Sequence, residues 1–256
     1  MISPLAFVDP SAKIGENVTV HPFAYIDKNV EIGNNNVIMP YASILSGARM
    51  GDGNTVYQGA VISAVPQDFT FKGDDTIVRI GNNNIIRENA VITRATFPEG
   101  CTVVGNNNFI MQAVRLSHDS RVGNHCIVGN GSQISGNTII EDYAILSSCV
   151  LMQQRTRVGT WAAIQGGCRF TKDVPPYSVA AHEPTVYHGV NKIVLTHNGF
   201  SERVQKHISG VYRLVYQGGT NDMEEVIRKI KDQIPMSHEI EVIIDFIRSS
   251  ELGLIR

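Results

Sequence analysis

His118, Gly136 and Gln154 are 18 and 18 residues apart, and each lies two positions past a bulky apolar residue: Leu116, Ile134 and Met152. Asp119 follows His118 directly. A carboxylate on one nitrogen of a neutral imidazole leaves the other nitrogen a competent general base near pH 7. A glycine amide close by can hydrogen-bond an oxyanion that develops on a carbonyl under attack. These residue types suit acyl transfer if 18 residues bring them onto one line. A His-Asp pair at a chain corner also fits a plain solvated turn, so the elements that carry the three residues decide their meaning.

Those elements are hexads. From Val8 to Phe170 in steps of six there are 28 positions, and 25 of them are bulky and apolar; Asp68, Asp74 and Pro98 are the exceptions. Two residues before each of the 25 stands only Ala, Val, Asn, Ser, Thr or Cys. Six is neither a helical nor a two-residue period, so no local amphipathic element explains the ladder. Each hexad makes a short flat side with its aliphatic residue inward and its small residue at a corner. Three hexads close a triangular coil of 18 residues, and coils stack at about 4.8 Å, the spacing of paired strands. The expected fold is therefore a parallel β-helix with His118, Gly136 and Gln154 on one edge. Gly-Asn-Asn-Asn recurs at 33–36, 81–84 and 105–108. Asn tolerates the left-handed backbone that corners need and can form side-chain ladders between coils.

The ladder is interrupted twice without losing phase, from Ile62 to Ile80 and from Ile92 to Val104. Residues at about 63–77 are expected to leave the prism as a loop, of the kind that often carries function on a rigid scaffold. Past Phe170, Asp173-Val174-Pro175-Pro176-Tyr177 breaks the pattern and the apolar spacing turns helical. The expected division is 1–177 for the coils and 178–256 for a helical domain that covers the open last coil. Ser201 is placed to cap a helix through about Gln217, which Gly218-Gly219 ends. Asn221 with Glu224 has a capping-box pattern, and Ser237 is placed to cap a third helix.

Composition fits a single large soluble protein. The 256 residues carry a formal charge of -2, with 18% charged and 43% hydrophobic residues. That disfavours disorder, a strongly basic nucleic-acid binder and a membrane span. The opening Met-Ile-Ser-Pro-Leu-Ala lacks the basic start and apolar run of a signal peptide, so a cytoplasmic protein is expected. Cys101, Cys126, Cys149 and Cys168 show no CxxC spacing and read as reduced structural thiols. His118 and His125 are seven apart and no third histidine of the coils joins them, so no metal is expected.

The ordered motifs resemble a known family, the UDP-N-acetylglucosamine O-acyltransferases that begin lipid A synthesis. They are the hexads, Gln67-Asp68, His118-Asp119-Ser120-Arg121-Val122-Gly123-Asn124, Asp173-Val174-Pro175-Pro176-Tyr177, Gly189-Val190-Asn191, Gly199-Phe200-Ser201 and Gly253-Leu254-Ile255-Arg256. The resemblance implies an all-β left-handed parallel β-helix with a C-terminal α-helical domain, assembled as a homotrimer with active sites between subunits. It implies transfer of an (R)-3-hydroxyacyl chain from acyl carrier protein to the 3-hydroxyl of UDP-N-acetylglucosamine, with no cofactor. By the same resemblance His118 is the general base, Asp119 orients it and the Gly136 amide holds the oxyanion. Gln67, Asp68, Met111 and Gln154 contact the sugar, Asn191 falls where the nucleotide binds, and Gly166 where acyl length is limited.

Departures from the pattern stand at Arg115 and Asn137, where histidines are common, and at Thr70 in place of a lysine. Ile193 replaces an acidic residue, and His197-Asn198 replaces a pair of arginines before Gly-Phe-Ser. Arg115 is a candidate to supply charge lost elsewhere, and Asn137 and Asn198 stay candidate substrate contacts by position. Rival readings are a related hexapeptide-repeat N- or O-acyltransferase and a non-catalytic β-helical scaffold. Lys192, Arg203, Lys206, Arg213, Arg228, Lys229 and Lys231 are expected to form a docking surface for the acidic carrier protein.

Overall fold

The computed structural model describes residues 1–220 and 222–256. Each hexad of the ladder folds as a short strand and a turn. Strands three hexads apart pair in parallel, as Leu116 with Ile134 and Ile134 with Met152. Among the described residues three sheets result. Face 1 has nine strands from Phe7–Val8 to Arg169–Phe170, and face 2 eight from Lys13–Ile14 to Arg157–Val158. Face 3 has ten, from Thr19–Val20 to Val186–Val190. The chain visits the faces in turn, so the prism has a 1–2, a 2–3 and a 3–1 edge.

The apolar ladder is the core. Every bulky ladder residue from Val20 to Phe170 is buried in one cluster, while Val8 and Ile14 of the first coil pack partly exposed against it. Full burial stabilises by about 1.5–3 kcal/mol for each Val, Leu or Ile. The three asparagines of Gly-Asn-Asn-Asn do three different jobs on the 2–3 edge. Asn34, Asn82 and Asn106 accept a backbone N–H of the preceding coil, from Glu16, Asp52 and Asn82. Asn35, Asn83 and Asn107 hold left-handed backbone at φ 57°, 55° and 57°. Asn36, Asn84 and Asn108 are buried, and their side-chain oxygens take the next coil's N–H from Asn54, Asn108 and Cys126. Cys126 is a structural thiol, donating to the Glu141 carbonyl, and burial pushes its pKa up to about 12.

Both interruptions leave the prism at the 1–2 edge. The first runs between the strands Val61–Ala64 and Ile77–Ile80, the second between Val91–Thr93 and Cys101–Val104. They sit on consecutive coils, and the following coil carries His118 on that same edge.

Past Tyr177 the helical spacing does not begin at once. Ser178–Ala181 pairs in parallel with Ala163–Ile164, and Val186–Val190 turns back antiparallel, so two more strands extend face 3. Helices follow: α1 (Lys192–His197), which the helical spacing had not marked, α2 (Glu202–Gln217), α3 (Met223–Gln233) and α4 (His238–Arg248). Ser201 caps α2 by accepting the Val204 N–H, and Gly218 ends it. The cap of α3 is Asp222, whose carboxylate takes the N–H groups of Glu224 and Glu225; Asn221 lies outside the described residues. Ser237 stands at the cap of α4 but donates its hydroxyl to Glu239. The Arg157 guanidinium ties coils to tail, bonding Glu141 and Ser249 and stacking 4.3 Å over Phe246. Leu254 bridges to Asp173, and Ile255 enters the prism core. No helix among the described residues is long and apolar enough to cross a membrane.

Candidate active site

His118 is nearly buried on the 1–2 edge, and its ring is held from every side. Nδ1 lies 2.9 Å from Asp119 Oδ2 and 2.8 Å from Thr96 Oγ1. Nε2 lies 3.3 Å from Asp68 Oδ2, delivered by the loop. Two glycines make the room. A Cβ on Gly136 would stand 2.5 Å from His118 Cε1, and one on Gly100 would stand 2.6 Å from Asp119 Oδ1. The His118 ring lies over the Gly136 backbone, with Cε1, Nε2 and Nδ1 all within 3.0 Å of where a Cβ would be, so glycine is required there.

Asp119 is set by its backbone as well as by its partners. It occupies the left-handed corner position at φ 59°, its N–H donates to Thr102 Oγ1, and Oδ2 also accepts the Thr96 N–H. An Asp119 carboxylate facing Nδ1 favours the tautomer that carries its proton there. Nε2 then keeps its lone pair on the side of Asp68 and the loop. Such a ring can remove a proton from a hydroxyl that approaches Nε2 beside Asp68. The Gly136 N–H donates to no group among the described residues, which leaves it for a ligand oxygen.

The loop is anchored rather than free. Thr70 donates to Asp68 from its hydroxyl (2.5 Å) and its N–H (2.7 Å), and these bonds hold the Asp68 carboxyl below the usual carboxylate range. Arg94 donates to the Ser46 carbonyl and lies 5.6 Å over the Phe71 ring. The departure at Thr70 thus has a use: it fixes the carboxylate that faces the imidazole. Thr96, Thr102 and Arg94 were not among the residues singled out from the sequence. Their signal is weak, two threonines and an arginine around an interruption that has no period of its own.

The single chain brings only part of the expected set together. Gln67, exposed beside Asp68, joins His118, Asp119 and Gly136 on the 1–2 edge. Asn137 is there too, its N–H on the His118 carbonyl, with Gln154 one coil further. A groove of about 570 Å³ is lined by Asn137, Gln154, Arg155, Arg157 and Glu251. Arg115 projects from face 1, paired in register between Val91 and Gln133. Met111 and Gly166 lie on the 3–1 edge, Met111 packed partly against the core and Gly166 exposed.

Asn191 is on neither of these edges. It is buried at the start of α1 and donates to the carbonyl of Trp161, a residue of the 2–3 edge. Asn198 ends α1, donating its side-chain amide to the Val194 carbonyl. Within the chain both asparagines serve the tail and neither meets His118.

The chain matches the family model described as UDP N-acetylglucosamine O-acyltransferase, domain 2, over residues 173–255. It also matches the bacterial transferase hexapeptide model over residues 11–40, 29–64 and 101–136. The acyl-(acyl-carrier-protein)–UDP-N-acetylglucosamine O-acyltransferase of Pseudomonas entomophila is 38% identical over 256 residues, covering 100% of this chain and 99% of that protein. Among solved structures, the UDP-N-acetylglucosamine acyltransferase from Bacteroides fragilis 9343 superposes with a TM-score of 0.98 at 53% identity, covering 100% of both chains. The Francisella novicida enzyme of the same name gives 0.95 at 39% identity, covering 100% of this chain and 94% of that one. The fold is accordingly the left-handed parallel β-helix with C-terminal helices that the motifs implied. On full-length likeness in sequence and in structure, the chain belongs to the UDP-N-acetylglucosamine O-acyltransferase family.

Proposed function

We propose that this protein transfers an (R)-3-hydroxyacyl chain from acyl carrier protein to the 3-hydroxyl of UDP-N-acetylglucosamine, the first step of lipid A synthesis. The observation that carries this reading is the His118 ring set between Asp119 and Asp68 against the bare backbone of Gly136. The sugar hydroxyl approaches Nε2 beside Asp68, and Nε2 takes its proton as the oxygen attacks the thioester carbonyl carbon. The carbonyl oxygen becomes an oxyanion and accepts the Gly136 N–H. When the C–S bond breaks, the carrier thiolate leaves and receives the proton that His118 holds. The product ester forms with every electron pair and proton accounted for and no cofactor taking part.

Asp68 stays ionised through its bonds to Thr70 and accepts a hydrogen bond from the sugar. Gln67, Met111 and Gln154 complete the sugar contacts. The protein works as a homotrimer, in which a neighbour supplies what one protomer cannot. Support comes from Gly166 on the 3–1 edge and from Asn191 in the tail beside the 2–3 edge, both away from the edge that His118 occupies. The carrier protein docks on the basic residues of the tail, of which Lys206 and Lys229 already face Glu202 and Glu225. The enzyme acts in the cytoplasm, where its thioester donor and nucleotide sugar are made.

The test is an assay with UDP-N-acetylglucosamine and hydroxyacyl carrier proteins of several chain lengths. Loss of the His118 base is expected to cost about 10²–10⁴-fold in kcat. Full activity of His118→Ala would sink the mechanism, and a wild type inert at every chain length would sink the function.

A further inference from the structure

Resting on that function, we propose that Arg155 binds the diphosphate of the nucleotide sugar, and that the nucleotide lies along the 1–2 edge from His118 toward the C-terminal tail. The edge is a ruler. Asp119, Asn137 and Arg155 are 18 apart and occupy its left-handed corner positions, with φ 59°, 57° and 67°. Arg155 therefore starts two coils from Asp119, roughly 9.6 Å at the spacing of paired strands.

A sugar whose 3-hydroxyl meets Nε2 of His118 carries its diphosphate on C1, two ring carbons away from C3. That places the phosphates more than one coil from His118, within reach of a guanidinium that starts at the second.

Charge points to the same residue. A diphosphate needs a cation, and arginine meets phosphate with two parallel N–H donors. Two of the positions where the family pattern carries cations hold neutral side chains here that are already engaged. Thr70 is spent on Asp68, and the Asn198 amide is spent on the end of α1. Of the two arginines in the groove, Arg157 is already engaged by Glu141, Ser249 and Phe246. Arg155 is exposed, and its ion pair is a 3.8 Å contact to Glu251, itself exposed. A screened surface contact of this kind gives way at little cost. Lys172 continues the line of His118, Gly136 and Gln154 by another 18 residues, so a second exposed cation stands further along.

The experiment compares wild type, Arg155→Asn, Arg155→Lys and Glu251→Gln. Asparagine removes the cation and tolerates the left-handed corner. The KM for UDP-N-acetylglucosamine is expected to rise about tenfold or more in Arg155→Asn, the loss of a hydrogen bond to a charged group, with kcat within about twofold. Arg155→Lys should fall between, and Glu251→Gln should leave KM within about twofold of wild type, as a screened surface contact implies. Calorimetry with UDP alone should show the same weakening in Arg155→Asn, independent of turnover. A wild type that binds UDP and turns over, with KM and UDP affinity unchanged in Arg155→Asn, overturns the assignment and leaves the function standing. An inert wild type that still binds UDP, weakened in Arg155→Asn, keeps the diphosphate site and removes the reaction. Should Arg155→Asn unfold, Arg155→Lys decides: a folded Arg155→Lys with unchanged KM and unchanged UDP affinity overturns the proposal.

Discussion

The His118 ring lies flat against the place where Gly136 has no side chain, with Cε1 2.5 Å from where a Cβ would be. A methyl group there cannot be absorbed, because the coils above and below are fixed by the ladder. Gly136→Ala is expected to turn the imidazole away from Asp119 and Asp68 and lower kcat by about 10²-fold, the scale of a misplaced catalytic group. Circular dichroism and thermal unfolding should show the coils intact. Wild-type kcat in a folded variant would mean that the ring does not need this position.

Thr96 stands 2.8 Å from the nitrogen of His118 that faces Asp119, and its N–H also bonds Asp119. It is a positioning residue. Thr96→Val keeps shape and loses the hydroxyl, so kcat should fall about threefold to tenfold, the value of one hydrogen bond. The pH–rate profile should shift as well, and Thr96→Ser should restore both. An unaltered profile would assign Thr96 to packing alone.

Arg94 and Phe71 hold the loop that carries Asp68. Phe71→Ala removes the ring beneath the guanidinium, worth about 0.5–1 kcal/mol at such a site. The KM for the sugar nucleotide should rise about twofold to fivefold, while the unfolding midpoint barely moves because the loop adds nothing to the ladder. A large drop in midpoint with an unchanged KM would contradict this division.

Asp173 is buried where the last coil meets the tail, and burial raises its pKa against the bonds from Ser250 and the Arg157 N–H. A carboxyl with a raised folded pKa binds protons more tightly when folded. Its contribution is fully present below the unfolded value of 3.8 and is lost as pH rises through the folded value. The stability of wild type relative to Asp173→Asn should therefore fall as pH rises from 4 toward 7. Denaturant titrations across that range check the sign, and parallel curves would refute it.

Much of this was legible in the chain. A step of six gave the prism, and a step of 18 put His118, Gly136 and Gln154 on one edge. The same arithmetic places Gly166 elsewhere, since it is 48 residues from His118, two full coils and two hexads. Residues outside the ladder had no such address. Asp68 comes to the imidazole through a loop held by Thr70 and by Arg94 on Phe71, contacts that no period encodes. Thr96 lies in the second interruption, where register is suspended. Asn191 follows the last coil, so only the folded tail decides that it meets Trp161 rather than His118. Ser178–Ala181 and Val186–Val190 escaped notice because strands at the end of a rod need no hexad to pair.

Both interruptions, one of 12 residues beyond a hexad step and one of six, open at a single edge and return in phase. Length can thus be added or removed there in whole hexads while every inward residue keeps its place. The rod and the loops form two separately mutable parts. Lineages can exchange the chemistry presented to the acceptor by replacing an excursion, leaving the stacked scaffold untouched. Anyone redesigning acceptor preference has the same freedom, with 65–76 as the cassette.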